Sequence, residues 1–499
     1  MQQNPSIRAS AISMCMHTVR RQGVGSVRFD VLSEDGIDRI DRATMDILKN
    51  TGVAIYEKQS RELLRERGAS VDETRSRVRI PERVVREAVE EAPSRYKLVA
   101  RDPRKSIELG VNETYFTNSA TGIRVLDHVS GEVRESLLSD INTFAKVADA
   151  LKNIHFYGPT VVAHDIKGKT HFLREMVAAV ENTTKHVCHE SQGTELTKQF
   201  VKIAQTLAGG EEEFRKNPVV SAGGCPVSPL QFDGPNTEAM LECARAGMPY
   251  DVLSMAMGGG TSPITLAGEL AIINAEVLTG IALCELVNPG CPMIYGSVAS
   301  TMDMRTGVLA LGAPERAVLN TAVVQMARHY GIPSLVGGIS TDGKMPGDQA
   351  MFEKTMTGLP SVLAGADMVF GPAVLSSATT YSVEQLVMDD EIASALLRIR
   401  DGMSVDDESL AIDLIDKVGP GGGFIGTKHT LDHLKKEIWI PELVDRNISD
   451  NWLKQGGKDM REKALEKTMK ILSEHEVEPL DKETKKDINA ILKSASKLE

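Results

Sequence analysis

The chain has 499 residues, 41% hydrophobic and 25% charged, with a formal net charge of −12 and a pI near 5.5. That composition supports a large globular core and argues against a nucleic-acid binder, which needs a basic face for the phosphates. No apolar run reads as a membrane span, and the six scattered cysteines lack the spacing of a zinc site or a disulfide framework, so a cytoplasmic protein without bound metal is expected.

Residues 1–28 carry Arg8, Arg20 and Arg21 without a continuous apolar stretch and read as a disordered leader rather than a signal peptide. Residues 29–110 are charged and periodic. Ile37, Ile40, Ala43, Met45, Ile47 and Leu48 suit an amphipathic helix, and Pro81 opens another, so an N-terminal helical region is expected. From 111 to 400 the pattern changes. Eight short β-favouring stretches, at 114–118, 155–161, 185–189, 219–222, 250–255, 292–298, 334–339 and 367–373, end in small or polar residues. Helical periodicity fills the intervals, at 138–151, 171–181, 195–207, 236–246, 266–286, 315–330 and 349–364, and an eighth helix follows at 382–398. Eight strand–helix units predict an α/β fold, a TIM (β/α)8 barrel. An open doubly wound sheet would carry a glycine-rich phosphate turn after its first strand, which Thr117-Asn118-Ser119-Ala120-Thr121-Gly122 is not. The remainder, 401–499, reads as a C-terminal helical extension packing on the barrel. Its charged helix at 458–472 suits either a cover for the barrel bottom or a homo-oligomer contact.

Reactive groups in such a barrel come from the C-terminal ends of strands and the loops that follow. Those positions offer Asn118, Tyr157, His164, Tyr295, Ser340, Thr341, Asp342, Lys344 and Tyr381. Most have an ordinary structural reading too, since a lone histidine or tyrosine near a strand is usually a hydrogen-bonded core residue. The run Gly258, Gly259, Gly260 could cradle an anion with its amides or simply permit a tight turn. Cys188, between His186 and His189, faces away from its neighbours on a strand, which weakens a metal reading. Gly421-x-Gly423-x-x-Gly426 matches a dinucleotide fingerprint formally, but no βαβ unit surrounds it. The segment from Gly337 to Pro346 combines a strand end, flexible backbone, hydroxyls, an acid and a base, and is the expected substrate-side loop.

Taken together, Phe116-Thr117-Asn118-Ser119, Gly259-Gly260-Thr261-Ser262-Pro263-Ile264-Thr265, the loop at 338–349, Glu384-Gln385-Leu386-Val387-Met388-Asp389 and Gly419-Pro420-Gly421-Gly422 resemble the trimethylamine methyltransferase family of corrinoid-dependent enzymes. The likeness extends over nearly the whole chain. It implies a barrel whose mouth admits a methylated amine and the corrinoid (cobalamin) of a partner corrinoid protein. This chain carries no D-x-H-x-x-G corrinoid signature of its own.

One departure from the family bears on the substrate. Founding members read an amber codon as pyrrolysine in the segment matching 341–344, where this chain has only standard residues. A tertiary amine must be activated before it can leave, whereas a quaternary ammonium leaves as a neutral amine. The expected donor is therefore a quaternary amine, glycine betaine first, with carnitine or proline betaine behind it. On this reading Asn118, Asp342 and Lys344 are the catalytic candidates. Tyr115, Tyr157, His164, Tyr295, Ser340, Thr341 and Tyr381 would bind substrate, aromatic faces holding the cation. Gly258, Gly259 and Gly260 would meet the cofactor. The alternatives are a barrel enzyme using another one-carbon donor, such as a methylated pterin, and a non-catalytic protein that binds betaine or the corrinoid partner.

Overall fold

The computed structural model describes residues 27–118 and 121–498, so the expected leader lies outside the described residues but for its last two. Seven parallel strands make the central sheet: β1 (Tyr115–Thr117), β2 (Val187–His189), β3 (Val220–Gly224), β4 (Tyr250–Ser254), β5 (Met293–Ser297), β6 (Ser334–Gly337) and β7 (Met368–Phe370). Their order is β1-β7-β6-β5-β4-β3-β2, so chain neighbours pair from β2 to β7, and β7 returns to β1. The expected strand at 155–161 is not a strand. Phe156 and Tyr157 make single parallel bridges to Thr117 of β1 and Val187 of β2. Gly158 and Pro159 follow at once, and neither a side chain that packs nor a proline N–H is available to extend the ladder.

Helices return the chain between strands: α1 (Leu138–Ala150), α2 (His171–Asn182), α3 (Thr194–Ala208), α4 (Gly234–Arg245), α5 (Leu266–Val287), α6 (Pro314–Tyr330), α7 (Asp348–Ala364) and α8 (Val383–Arg400). By length and composition α5 could cross a membrane, against the expectation that no run would, yet 83% of its most apolar stretch is buried in the fold.

Register decides which side chains share the sheet's inner face, because paired residues on neighbouring strands point the same way. Leu335 pairs with Met368 and Gly337 with Phe370; Met368 and Phe370 pair in turn with Tyr115 and Thr117. On the same face lie Cys188, Ile294 and Phe156, clustered with Leu98, Ile107 and Leu109. Those last three belong to an antiparallel hairpin, Tyr96–Leu98 with Ile107–Leu109. The hairpin segment is tied to residues at the strands' N-terminal ends. The Tyr96 hydroxyl donates to the Met293 carbonyl at 3.0 Å, the Gly110 amide to Asp367 at 2.8 Å, and the Val99 amide to the Pro218 carbonyl at 3.1 Å. One end of the sheet interior is thereby plugged, which leaves the C-terminal ends of the strands for a ligand.

The N-terminal region is mixed rather than only helical. Besides helices Glu34–Asp46, Lys58–Glu66 and Glu82–Glu91 it holds short strands Val53–Ile55, Ser70–Asp72 and Arg77–Arg79. Alternation explains two of them, since Ile55 and Val78 are fully buried between exposed or half-buried neighbours. At the other end, Arg398–Trp439 forms a compact unit of its own, with helices Asp407–Leu410, Ile412–Val418 and Lys428–Glu437. Helices Met460–Glu474 and Lys482–Ala495 belong with the sheet. Lys485 pairs with Glu181 of α2 at 2.8 Å, and His475 reaches Asp149 of α1 at 2.8 Å.

A buried carboxylate joins α2 to β2. Glu175 accepts from the Ala163 amide at 2.7 Å and contacts His171 at 3.1 Å and His189 at 3.2 Å. Burial pushes its pKa up, but the hydrogen bonds from the two imidazoles and the amide outweigh that and hold it at about 2. A depressed carboxylate pKa stabilises the fold above the ordinary value of 4.5, and the gain is lost as pH falls through about 2. The stability difference between wild type and Glu175→Gln, from urea midpoints at pH 2 to 7, is therefore expected to shrink by about 3 kcal/mol below pH 4.5. A difference flat across that range would remove Glu175 from the acid response.

Candidate active site

Above the plugged end, the inner row Gly337–Phe370–Thr117 lies at the C-terminal ends of β6, β7 and β1. Helix α6 brings the chain back toward the start of β6, so its first turn sits level with this row. Arg316 is in that turn, fully buried. Its Cζ lies 5.8 Å from the centre of the Phe370 ring. Gly337 makes the space: a Cβ there would fall 1.9 Å from Arg316 Nη2 and 2.8 Å from Phe370 Cε1. Asn320, one helical turn on, fixes the strand end by donating to the Gly337 carbonyl.

The guanidinium is incompletely satisfied. Nη1 donates to the Leu311 carbonyl at 3.3 Å, while Nε and Nη2 find no partner among the described residues. Burial lowers the Arg316 pKa to about 10, opposed by the Asp342 charge, so the group stays cationic at neutral pH. Thr117 Oγ1, Asn118 Oδ1 and the Tyr381 hydroxyl are likewise buried without partners among the described residues. Native folds pair nearly all buried polar atoms. Four such residues at one end of one sheet mark where a ligand would complete the bonding.

The expected site residues divide by where register sends them. Asn118 donates from Nδ2 to Thr160 Oγ1 at 3.1 Å, and its carbonyl oxygen has no partner among the described residues. Tyr381 packs its ring on Gly122, where a Cβ would lie 2.2 Å from Cδ2, and burial raises its pKa against the pull of the Arg316 charge. Asp342 ties its own loop to two other chain segments. It accepts from the Leu311 amide at 2.9 Å, the Gly312 amide at 3.0 Å and Ser377 Oγ at 2.7 Å. Ser377 is the middle of three consecutive non-glycine residues with φ of 50°, 52° and 66°, the kind of backbone strain that gathers at functional sites. Ser340 Oγ donates to the Gly338 carbonyl at 2.8 Å and Thr341 Oγ1 to Glu353 at 2.5 Å, so both hold the loop's shape.

Other expectations are corrected. Lys344 is exposed, and its ammonium bonds the Asp342 carbonyl of its own loop at 2.6 Å. Tyr295 and Tyr157 point outward to the helices. Tyr295 donates to Asn274 of α5 at 2.7 Å, and Tyr157 to the Ile141 carbonyl of α1 at 3.1 Å. Tyr115 sits toward the plugged end, edge-on to His155 at 5.2 Å. His164 is exposed, with Nδ1 at 3.3 Å from Ser136 Oγ. Gly258, Gly259 and Gly260 offer no amides to a cofactor. Their N–H groups go to Glu269 at 3.1 Å, the Ser262 carbonyl at 3.0 Å and the Met257 carbonyl at 2.8 Å.

Sequence reasoning missed Arg316, Phe370 and Thr117. A signal for Arg316 existed. It shares the spacing i, i+4, i+7, i+11 with buried Asn320, Val323 and Ala327, and it lies in a first turn where the helix dipole disfavours a cation.

Comparison with known proteins follows the same line. The family model described as "Trimethylamine methyltransferase (MTTB)" matches residues 2–496. A trimethylamine methyltransferase of Methanosarcina barkeri is 39% identical over 425 residues, covering 84% of this chain and 86% of the relative. One from Desulfitobacterium hafniense is 36% identical over 415 residues, 83% of this chain and 84% of the relative. A glycine betaine methyltransferase of Desulfitobacterium hafniense is 34% identical over 422 residues, 84% and 88% of the two chains. Among solved structures, the monomethylamine methyltransferase of Methanosarcina barkeri superposes with a TM-score of 0.52 over 90% of this chain and 89% of its own, at 11% identity, a likeness of fold alone.

Proposed function

Since the chain belongs to the trimethylamine methyltransferase family, we propose that it transfers a methyl group from a quaternary amine, glycine betaine being the best representative, to the Co(I) corrinoid of a separate corrinoid protein. The family relationship carries the methyl transfer. The choice of donor rests on one observation, the state of residues 341–344. Thr341 bonds Glu353, Asp342 bonds two amides and a serine, the Gly343 amide bonds Thr341 Oγ1 at 2.8 Å, and Lys344 is turned to solvent. No side chain in that loop is poised to protonate or covalently hold an amine. A tertiary amine needs such help; a quaternary nitrogen departs neutral without it. The relative named glycine betaine methyltransferase supports the same choice. We read the sheet as a (β/α)8 barrel, its gap closed through Phe156 and Tyr157.

The corrinoid supplies the nucleophile when the partner is docked. This chain's own residues bind the donor, orient one methyl toward the open end and exclude water. Alignment of that kind contributes several kcal/mol to barrier reduction in well-oriented reactions. Asn118 Oδ1, an acceptor without a partner among the described residues, suits the polarised C–H groups of an ammonium methyl. The test mixes purified protein, its corrinoid partner reduced to Co(I), and a panel of glycine betaine, carnitine, proline betaine and trimethylamine, followed by the visible spectrum of the corrinoid. Methylation is expected with glycine betaine and not with trimethylamine. No turnover with any quaternary amine would reject the proposal.

A further inference from the structure

We propose that Arg316 is a carboxylate-binding residue, its free Nε–Nη2 edge holding the acid end of a zwitterionic donor so that recognition fails for quaternary cations without a carboxylate. This rests on the quaternary-amine reading above and adds the group that selects within that class.

Nε and Nη2 form one planar edge of the guanidinium, the edge that meets a carboxylate through two parallel N–H···O bonds. In Arg316 that edge, and not Nη1, is left without a partner among the described residues. The protein's own anion does not fill it. Both Asp342 oxygens are engaged by the Leu311 and Gly312 amides and Ser377, so its charge steadies Arg316 from a distance without a hydrogen bond. An uncompensated buried cation is costly, and a fold that keeps one sealed from water has completed its desolvation before any ligand arrives. Phe370 supports the face of the guanidinium, and Gly337 leaves it room, so the edge is held in one orientation. The Tyr381 hydroxyl, buried and without a partner among the described residues, feels the Arg316 charge and is a second candidate donor. The end of the site where these groups sit is the inner row at the strand ends; a carboxylate bound there leaves the ammonium methyls to face the mouth.

The experiment is calorimetric binding to the whole chain without the corrinoid partner, so that its result does not depend on methyl transfer. The probes are glycine betaine, 3,3-dimethylbutanoate (the same shape and carboxylate without the positive nitrogen) and choline (the cation without the carboxylate). Wild type is expected to bind glycine betaine and, more weakly, 3,3-dimethylbutanoate, and to bind choline at least tenfold less well than glycine betaine. Arg316→Gln is expected to weaken glycine betaine on the order of 10–100-fold and to abolish the preference over choline. Arg316→Lys, which keeps the charge and loses the planar edge, falls between. Equal affinity of wild type and Arg316→Gln for glycine betaine would overturn the proposal while leaving the quaternary-amine reading intact. Should Arg316→Gln fail to fold, Arg316→Lys and the wild-type panel still decide, because wild type that binds choline as well as glycine betaine rejects a carboxylate subsite.

Discussion

Lys354→Ala is expected to destabilise the protein by about 3–5 kcal/mol, the largest loss for any single side chain considered. Lys354 of α7 and Asp389 of α8 are both fully buried, 2.8 Å apart. The ammonium also donates to the Ile339 carbonyl at 3.0 Å and the Gly371 carbonyl at 3.1 Å. Three acceptors around one nitrogen require three N–H bonds, which only the charged form has. Burial drives Lys354 down and Asp389 up toward their neutral forms, and each partner's charge opposes the shift of the other. Asp389 is further held by the Ala373 amide at 2.7 Å and Gln385 at 2.8 Å. The pair thus pins the chain just beyond β6 and β7, where Ile339, Gly371 and Ala373 have φ of 38°, 133° and 72°. Removing the lysine leaves an unpaired carboxylate and two unsatisfied carbonyls in the interior. Urea unfolding of Lys354→Ala against wild type measures the loss, and a cost below about 1 kcal/mol would show that the pair does not hold these strand ends. The double variant Lys354→Met, Asp389→Leu should regain only the part owed to the unpaired carboxylate, because the Ile339 and Gly371 carbonyls and the Ala373 amide still lack partners.

How far the sequence reveals this protein depends on what each signal measures. Apolar, β-favouring runs and helical periodicity report burial along a segment, and seven of the eight expected strands and all eight helices are found where they were expected. The first signal failed at 155–161 because apolar character there comes from Phe156, Tyr157 and Val161, whose burial needs no ladder, while Gly158 and Pro159 break one. Position in the chain also placed Asn118 and Tyr381 among the candidates. It could not say which face a side chain takes, and a one-residue difference sent Tyr157 and Tyr295 to the helices while Thr117 and Phe370 turned inward. Arg316 was hidden for another reason. Its role comes from the absence of a partner, which depends on Gly337 and Asp342 at and just beyond the end of β6 and Phe370 at the end of β7 converging on a residue of α6. No spacing rule encodes that convergence.

Gly337→Ala tests the convergence directly, and its expected effect is on activity more than on stability. Gly337 has no left-handed backbone to protect, so the whole effect of the added methyl is steric. Its Cβ would lie 1.9 Å from Arg316 Nη2, and ordinary contact needs about 3.4 Å or more. The guanidinium has to yield, since the strand backbone is held on both sides by ladder partners in β5 and β7. Tethered at Nη1 to Leu311 and stacked on Phe370, it leaves the orientation that presents its free edge. A displacement of order 1 Å at a positioning group costs on the order of 100-fold in rate, while overpacking costs about 1–3 kcal/mol of stability. Gly296→Ala provides the control. It adds a methyl on the inner face of β5, 2.3 Å from Leu253 Cδ2, so the crowding is similar and falls on an apolar neighbour instead of Arg316. Urea midpoints of the two variants should fall alike, while kcat/KM with glycine betaine should fall at least tenfold further for Gly337→Ala. Equal losses of activity would show that general crowding of the sheet interior, and not the placement of Arg316, limits the reaction.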